Sequence, residues 1–557
     1  MIFLPLPERF RIFHRNSPMR EGVFCWYPFE PGLRVLDESH GILTQLLQRK
    51  SLIIVDDAPV DYVVSLDSDD FSVDTLKAWY DKIQPNGRLL LAYENPFALR
   101  YWAGTRATNT GRPYDTLFGR GTSPLPSKVE LQKRLDQTGY KKCKWYYLLN
   151  DHWFTGEVYS DEYLPNEHLN QRFIPYILED KYLCFDEVEL YREVIRGGAF
   201  PFMCGAYVVE ACMSENLESC GINYATMTSY REPSGRFVTT IWNDGIVRKT
   251  PLCHEGIASI RQVHLNHEDL RALGVPVIQT RLEKDTLMMP FLNLPTLGDY
   301  LARKLSNNEL DEAEMFSLFD RLKNNIYKAF AKGRCYWEMI PANCFYDKEK
   351  DELIFFDQEY YWDDVGPEIA MARVLIFLHY SVVFRNNPRT VKWWEILKDR
   401  YNLSKNWETL SSLANDKIID MLFFREERKL RNTTEKVRQR IEDMRCETSK
   451  DIAKETTRYK NFQNIIEKIR KMGITRPLIY GFGVRGKTLR DVFESSDIND
   501  IIFIDEKLEK YSSIENVPKD IFFDCIIVSI LGGSETAEHL REKINVPVYL
   551  LEDLCAN

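Results

Sequence analysis

Three polar residues between positions 338 and 357 have the types and the spacing that phosphoryl transfer needs. Glu338 is followed five residues later by Asn343, and the apolar run Leu353–Phe356 leads directly into Asp357. Phosphoryl transfer depends on positioning and charge neutralisation, so an Asn and an Asp hold Mg²⁺ against the ATP phosphates while another carboxylate orients the acceptor hydroxyl. The pattern predicts Glu338 as the catalytic carboxylate and Asn343 and Asp357 as the residues that bind Mg²⁺ and ATP.

Such a site also needs a lysine on an upstream strand to hold the α- and β-phosphates, and a helical glutamate to position that lysine. Lys249 ends a strand-like run that follows Asn243–Gly245, and Asp-Gly between two such runs indicates a hairpin. Glu255 and Glu268 both follow in the next predicted helix. We take Lys249 as the catalytic, ATP-binding lysine and Glu255 as its partner, with Glu268 as the alternative.

Several features leave the activity of this site open. The acceptor-orienting residue is usually Asp, and Glu338 moves its carboxylate by one methylene, where a misplacement of ~1 Å can cost about a hundredfold in rate. The segment Ser229–Gly235 would have to cover the phosphates with a single glycine, and Met288–Phe291 is where adenine would be contacted. On the alternative interpretation, Asp357 only ends a strand, and Glu338 and Asn343 are surface loop residues.

A second motif lies near the C-terminus, where Gly481, Gly483 and Gly486 follow a predicted strand and Lys487 and a Thr come next. With Asp505 19 residues beyond the third glycine, the spacing matches a dinucleotide-binding Rossmann turn. The same residues also match a phosphate-binding Walker loop. We favour a small Rossmann-like unit that binds a nucleotide through these four residues, and the alternative is a tight turn needed only for packing.

Composition narrows the class of protein. The chain has 557 residues, enough for about three to four domains, and 44% of them are apolar. The net charge of -10 argues against nucleic-acid binding, because phosphate contacts need an excess of Lys and Arg. The 12 Cys are scattered singly, as in cytoplasmic proteins with reduced thiols. No secretory signal and no run of ~20 apolar residues stands out, so we expect a cytoplasmic protein, at most peripheral to the inner face of a membrane.

Changes in periodicity divide the chain into four predicted domains, which together make a multidomain protein of α/β and α+β type. Residues 1–200 alternate between strand and helix, and residues 201–425 read as a small β lobe followed by a helical lobe. Residues 426–472 read as a long helix or coiled coil, and residues 473–557 return to a βαβ pattern. An apolar seam along 426–471 suggests a homo-oligomer, although a helix packed on its own chain would give the same pattern.

The chain resembles the bifunctional methyltransferase-kinase family of bacterial surface-polysaccharide (O-antigen or capsule) biosynthesis over roughly residues 20–470. The resemblance implies a class I, S-adenosylmethionine (SAM) methyltransferase domain, a two-lobed protein-kinase-like domain that phosphorylates a glycan end, and a coiled coil. It also underlies the choice of Glu255. The segments that carry it are Arg20–Phe29, Pro85–Pro96, Leu99–Gly104, Tyr159–Pro165 and Phe355–Glu359.

The methyltransferase half departs from that pattern. The loop after the first strand, Val35–Thr44, keeps only Gly41, and Asp37 and Glu38 lie where backbone should approach the cofactor. Only about 25 residues separate this loop from Tyr62–Leu66, which looks like the fourth strand of the fold. We therefore expect a degenerate domain of Rossmann-like type that does not bind SAM.

These observations favour an ATP-dependent phosphotransferase acting on a sugar or glycan, with a glycosyltransferase or polymerase as a further partner. One alternative is a non-catalytic scaffold, in which both N-terminal domains are pseudoenzymes. Another is a SAM-dependent methyltransferase with an altered cofactor site.

Overall fold

A computed structural model describes residues 18–422 and 465–555 of the chain, with gaps. The gaps are residues 69, 103–113, 121–124, 150–151, 154, 169–186, 217, 230, 381–383, 385–386, 495–497, 499–500, 507, 509–510 and 531. The chain divides into two compact units, Met1–Arg440 and Ile441–Asn557. The structure confirms the mixed α/β class, and it contains one large mixed sheet.

The first unit begins with a parallel layer in which helices connect the strands. Its strands pair in the order β2-β1-β3-β4, with all three pairings parallel. The strands are β1 (Arg34–Glu38), β2 (Ile53–Ile54), β3 (Val60–Leu66) and β4 (Ile83–Glu94). The helices of this part are α1 (Thr44–Arg49), α2 (Val73–Tyr80), α3 (Leu99–Trp102), α4 (Lys128–Thr138), α5 (Glu187–Arg196) and α6 (Phe200–Met203).

Both faces of this layer are buried, as the run of apolar residues along β4 requires. Leu89, Leu91 and Tyr93 belong to one hydrophobic core, and Leu90 and Ala92 belong to another. Because successive side chains of a strand point to opposite faces, a strand covered on both sides is apolar throughout.

The sheet continues beyond β4 through antiparallel strands. The complete order is β11-β12-β10-β9-β8-β6-β5-β7-β4-β3-β1-β2, and β6 joins β8 through Glu157↔Thr226 and Val158↔Ala225. Strands from the segments 1–200 and 201–425 thus share one sheet, and β7 lies between β4 and β5. The added strands are β5 (Lys142–Leu148), β6 (Glu157–Ser160), β7 (Ala206–Cys212), β8 (Ile222–Met227), β9 (Phe237–Trp242), β10 (Ile246–Pro251), β11 (Arg281–Glu283) and β12 (Thr286–Pro290).

A helical part completes the first unit, after helix α7 (Gly256–Ala272) that separates β10 from β11. Its core includes Leu301, Leu322, Trp337 and Leu375, all buried. Its helices are α8 (Leu297–Ser306), α9 (Glu312–Ala329), α10 (Pro367–Tyr380), α11 (Pro388–Arg400) and α12 (Trp407–Leu422). Its short strands form the pairs β13 (Cys335–Tyr336) with β16 (Tyr361–Trp362) and β14 (Cys344–Asp347) with β15 (Glu352–Phe355).

The second unit contains a four-stranded parallel sheet in the order β18-β17-β19-β20. Ile479 and Ile527 face one core, and Leu478, Ile526 and Val528 face the other. Its strands are β17 (Pro477–Tyr480), β18 (Ile502–Ile504), β19 (Cys525–Val528) and β20 (Val548–Leu550). Its helices are α13 (Val484–Glu494), α14 (Ser534–Lys543) and α15 (Leu551–Cys555).

The predicted long helix over 426–472 lies mostly outside the described residues. Residues 465–471 are described and helical, and Ile465, Ile466 and Ile469 are buried in the second unit. Within the described part of the chain, no helix is long and apolar enough to cross a membrane.

Candidate active site

The hairpin β14–β15 brings Asn343 next to Asp357. Cys344 pairs with Phe355 at the open end of the hairpin, and the Phe356 N–H donates to the Asn343 carbonyl at 3.0 Å. Because Asn343 immediately precedes β14 and Asp357 follows Phe356, both side chains belong to the same end of this hairpin. The spacing noted in the sequence is therefore the geometry of a short antiparallel pair.

Glu338 joins these two residues from the turn after β13. The Asn343 Nδ2 donates to Glu338 Oε2 at 2.5 Å, and the Gln358 Nε2 donates to the Glu338 backbone oxygen at 3.1 Å. The preceding Trp337 is fully buried, and its ring stacks on Trp362 with centroids 5.2 Å apart. The turn that carries Glu338 is thus fixed by the hydrogen bond from Gln358 and by the packing of Trp337.

The environment of Glu338 changes its acidity. Burial raises the pKa of the Glu338 carboxyl to about 7, against the opposing charges of Arg373 and Arg231 and with help from Glu359 and Asp357. A carboxyl with this pKa is close to half-ionised at neutral pH, so it can both accept and return a proton. The arrangement suits a general base.

Lys249 reaches the same place from the large sheet. It lies on β10 opposite Thr239 and Leu287, and it is buried, whereas the adjacent Arg248 on the other face pairs with Asp244. The Lys249 ammonium contacts the carboxylates of Asp357 and Glu359. Burial alone would lower the pKa of Lys249, but these two carboxylates outweigh it and raise the pKa above its ordinary value.

The two glutamates considered as partners of Lys249 lie elsewhere. Glu255 is exposed at the start of α7, where its own backbone N–H and the Cys253 thiol lower the pKa of its carboxyl. Glu268 is on the outer side of α7 and pairs with Arg271 at 2.5 Å. Among the described residues, the carboxylates in ion-pair contact with Lys249 are those of Asp357 and Glu359, and neither Glu255 nor Glu268 is in such contact.

Helix α7 supports the site through the side-chain amide of Asn266 and the imidazole of His267. Asn266 Nδ2 donates to the carbonyls of Gln358 (2.9 Å) and Glu359 (3.2 Å), and the Gln358 N–H donates to His267 Nε2 at 3.3 Å. Burial lowers the pKa of His267 to about 3, which keeps the imidazole neutral and able to accept this bond. Asp357 itself has φ +57°, a left-handed conformation that costs a non-glycine residue ~1–3 kcal/mol and is concentrated at functional sites.

The segment between β8 and β9 lies against the site. Arg231 forms an ion pair with Glu359, and a Cβ on Gly235 would lie 2.9 Å from the Tyr360 hydroxyl. The segment is the one expected to cover the phosphates. Met288 and Met289, expected near adenine, lie in β12, which pairs with β10.

The residues present fit a magnesium ion bound together with phosphates. With its Nδ2 directed at Glu338, the Asn343 amide keeps Oδ1 as an acceptor, and Asp357 supplies a carboxylate. Mg²⁺ at such sites is usually held by one or two side chains and by substrate phosphates. In the part of the chain that the structure describes, no group of three or more His, Cys, Asp or Glu is placed to hold a metal ion, and this mode of binding needs none.

The glycine-rich turn of the second unit contains three glycines in three different environments. Gly481 has φ +101°, and a Cβ on Gly486 would lie 2.1 Å from the Gly481 carbonyl oxygen. Among the described residues, no atom lies within 4 Å of a Cβ placed on Gly483. In a Rossmann turn the first glycine makes the tight turn, the second leaves room for the ligand and the third allows close helix packing. Asp505, at the end of β18, accepts the Phe482 N–H at 2.6 Å.

The start of α13 bears on the two interpretations of this motif. The helix begins at Val484, three residues before Lys487. A Walker loop places its lysine at the beginning of the helix, after a longer phosphate-binding loop. The short turn Gly481–Gly483 therefore favours the dinucleotide-type interpretation.

In the N-terminal layer, side chains occupy the turn after β1. The Asp37 carboxylate accepts hydrogen bonds from the Ser39 N–H at 3.0 Å and the Thr44 hydroxyl at 2.6 Å, and the Ser39 hydroxyl accepts the Leu43 N–H at 2.9 Å. In a nucleotide-binding fold this turn is glycine-rich so that backbone can approach the ligand. Here polar side chains satisfy the backbone of the turn instead.

Comparison with models of protein families gives no match, and comparison with curated proteins gives no relative. The sequence reasoning missed Glu359, Arg231, Asn266 and His267. Glu359 could have been found, because a second acidic residue two positions after Asp357 is visible in the sequence, whereas the other three depend on which face of their segment is buried.

Proposed function

We propose that the first unit is an ATP-dependent phosphotransferase that acts on a sugar or glycan hydroxyl. The observation that carries this proposal is geometric: the Glu338 carboxylate accepts a hydrogen bond from the Asn343 amide, and Asp357, which follows the strand next to Asn343, contacts the Lys249 ammonium. Burial raises the pKa of Glu338, which supports a role as general base. A general base works best when its pKa is near the pH of the reaction. The extra methylene of Glu338 is compatible with this role, because the bond to Asn343 orients the longer side chain.

In the proposed reaction, the acceptor oxygen bonds to the γ-phosphorus while its proton passes to Glu338. The bond from the γ-phosphorus to the β,γ-bridging oxygen breaks, and ADP leaves with that oxygen. Lys249 would bind the α- and β-phosphates. Asn343 and Asp357 would hold Mg²⁺, which when bound neutralises charge on the phosphates.

The assignment of the acceptor as a glycan in bacterial surface-polysaccharide assembly rests on the family resemblance. The strand order β2-β1-β3-β4 supports a Rossmann-like origin for the N-terminal layer, because the chain moves to one side of β1 and then to the other, as in doubly wound folds. The side-chain bonds of Asp37 at the end of β1 argue against SAM binding there. A two-lobed kinase-like domain is supported by three features: the strands β8 to β12, the helical part, and the site that lies between them.

The scaffold is the second candidate, and the occupied turn after β1 is what favours it. In that case the same fold would recruit a glycosyltransferase or polymerase without transferring phosphate. A SAM-dependent methyltransferase is a weaker alternative, because the polar side chains in this turn argue against SAM binding there. A cytoplasmic location, where ATP is present, is part of the phosphotransferase proposal.

Nucleotide binding and phosphate transfer test the proposal in two steps. Mg-ATP at a hundred times its dissociation constant should stabilise the folded protein by about 2.7 kcal/mol, visible as a thermal shift. The shift should disappear in Asp357→Asn. No shift in the wild type would refute nucleotide binding, and a shift with SAM would overturn the argument for an inactive methyltransferase layer.

The second step measures transfer of labelled γ-phosphate to lipid-linked or free oligosaccharides. Glu338→Gln should keep the Mg-ATP shift and lose about 10²–10⁴-fold in transfer, the usual contribution of a general base. Glu268→Gln, an exposed matched control, should retain both. Binding of Mg-ATP by the wild type without transfer to any glycan would favour the scaffold.

For the second unit we propose a nucleotide site at the turn Gly481–Gly486, next to Asp505. The lack of any described atom within 4 Å of a Cβ on Gly483 favours it, because backbone can approach a pyrophosphate there. Gly483→Val should abolish binding of NAD⁺ or a nucleoside diphosphate, measured by calorimetry, without unfolding the unit. Unaltered binding in this variant would place the ligand elsewhere, and no binding by the wild type would leave the turn as a packing feature.

A further inference from the structure

The contacts of Lys249 point to a residue that the proposed phosphotransferase would need and that the motif does not supply. The Lys249 ammonium is buried between two carboxylates, those of Asp357 and Glu359. On the proposed function, Asp357 must turn its charge to Mg²⁺ when the nucleotide binds. One carboxylate then remains to position the lysine, and it belongs to Glu359.

Glu359 is held firmly enough for this role. Its side chain is buried, one carboxylate oxygen contacts Lys249 and the other contacts Arg231. Its backbone is fixed as well, because its N–H donates to the Asp357 carbonyl at 3.0 Å and its carbonyl accepts from Asn266. A buried carboxylate that contacts two cations is suited to orient a flexible ammonium group.

Helix α7 provides no competing carboxylate on its inner face. Its buried residues are Gly256, Ile260, Val263, Asn266, His267 and Leu270. Its one glutamate, Glu268, and the preceding Glu255 are exposed, and Asp269 pairs with Lys332 and Arg334. The helix therefore contributes to the site by binding the backbone of residues 358–359.

We propose that Glu359 is the positioning residue for Lys249, in place of a helical glutamate. This inference rests on the proposed function. Arg231 shares the same carboxylate, so the segment between β8 and β9 is tied to the lysine through Glu359. The binding chemistry concerned is that of a nucleoside triphosphate, whose α- and β-phosphates Lys249 would contact.

The test is the effect of Glu359→Gln on the KM for ATP, measured first at one fixed Mg²⁺ concentration. Loss of a charge-assisted contact is expected to raise this KM about 10- to 100-fold. Glu359→Asp should raise the KM for ATP less than Glu359→Gln does, because Asp keeps the negative charge. Glu255→Gln and Glu268→Gln, which remove exposed glutamates of the neighbouring helix, should change the KM less than twofold.

A double-mutant cycle separates positioning from general structural damage. If Glu359 acts through Lys249, adding Glu359→Gln to Lys249→Met should change the kcat/KM for ATP less than twofold. Equal losses in both backgrounds would overturn the inference. A KM that returns to the wild-type value when Mg²⁺ is raised would also overturn it, since that would assign Glu359 to the metal.

The inference and the proposed function can fail separately. The same cycle, measured by urea unfolding without nucleotide, reports whether the pair of Glu359 and Lys249 exists. Coupling in unfolding together with no Mg-ATP binding would refute the proposed function and leave a purely structural pair. Mg-ATP binding that is unchanged in Glu359→Gln would refute the inference alone.

Discussion

Replacing Glu338 with Gln should stabilise the first unit at alkaline pH and have little effect at acid pH. In the folded protein the pKa of this carboxyl is about 7, whereas its ordinary value is 4.5. Below pH 4.5 the wild-type carboxyl is protonated in both the folded and the unfolded chain, so it resembles the neutral Gln. As the pH rises from 4.5 through 7, the folded wild type loses stability, because the unfolded chain releases this proton while the fold still holds it; above pH 7 both states are ionised and the loss stays constant.

The size of this effect follows from the difference between the two pKa values. At about 1.4 kcal/mol for each pH unit, the complete cost of ionising Glu338 in the fold is ~3 kcal/mol. Roughly 2.5 kcal/mol of it should develop between pH 5 and pH 9. The charged and titratable groups that face this carboxyl are Arg231, Arg373, Asp357 and Glu359, and they are the same in both proteins.

Urea unfolding followed by tryptophan fluorescence measures this difference. All 11 Trp lie in the first unit, so the signal reports that unit. Glu255→Gln is the matched control, because hydrogen bonds from its own backbone N–H and from Cys253 lower the pKa of that exposed carboxyl. Its difference from wild type should stay constant above pH 5. The reasoning would be refuted if the difference in unfolding free energy between Glu338→Gln and wild type changed by less than ~1 kcal/mol between pH 5 and pH 9. It would also be refuted if the pH dependence of this difference ended near pH 4.5.

Three further predictions concern stability. Lys249→Ala leaves the partly exposed Asp357 without its lysine contact and the buried Glu359 with Arg231 as its remaining cation, and should lower the free energy of unfolding by ~1–3 kcal/mol in urea; no measurable loss would mean that the carboxylates are solvated. Gly486→Ala puts a methyl group 2.1 Å from a backbone oxygen and should destabilise the second unit by ~1–3 kcal/mol in calorimetry, whereas Gly483→Ala, with no atom of the described residues within 4 Å, should be neutral. Ser127→Ala removes the capping box of α4 and should cost ~1 kcal/mol by tryptophan fluorescence; an unchanged midpoint would show that the cap is dispensable.

Features that depend on neighbouring residues were predictable from the sequence. The hairpin at Asn243–Gly245 is confirmed as the turn between β9 and β10, because Asp-Gly adopts the backbone angles of a tight turn. The strand Pro477–Tyr480 and the helix after it are also confirmed, since glycine spacing marks the boundary between them. The adjacency of Asn343 and Asp357 follows from a hairpin whose length is visible in the sequence.

Features that depend on distant residues were not predictable from the sequence. The partner of Lys249 was sought on the next helix, but Glu359 is 110 residues away and reaches it because β10 and the turn after β15 meet. The pairing of β6 with β8, which joins two predicted layers into one sheet, likewise leaves no local signal. The pKa of Glu338 depends on burial and on four charges from three separate segments.

By itself, the sequence determined the residue types of the candidate site, the mixed α/β class and the turns, because propensity and spacing act over a few residues. Only the tertiary structure decided which carboxylates face Lys249, which side of α7 is buried and how strongly Glu338 holds its proton. The physical reason is that burial and Coulomb interactions depend on distances in space, and packing brings together residues that are far apart in the chain.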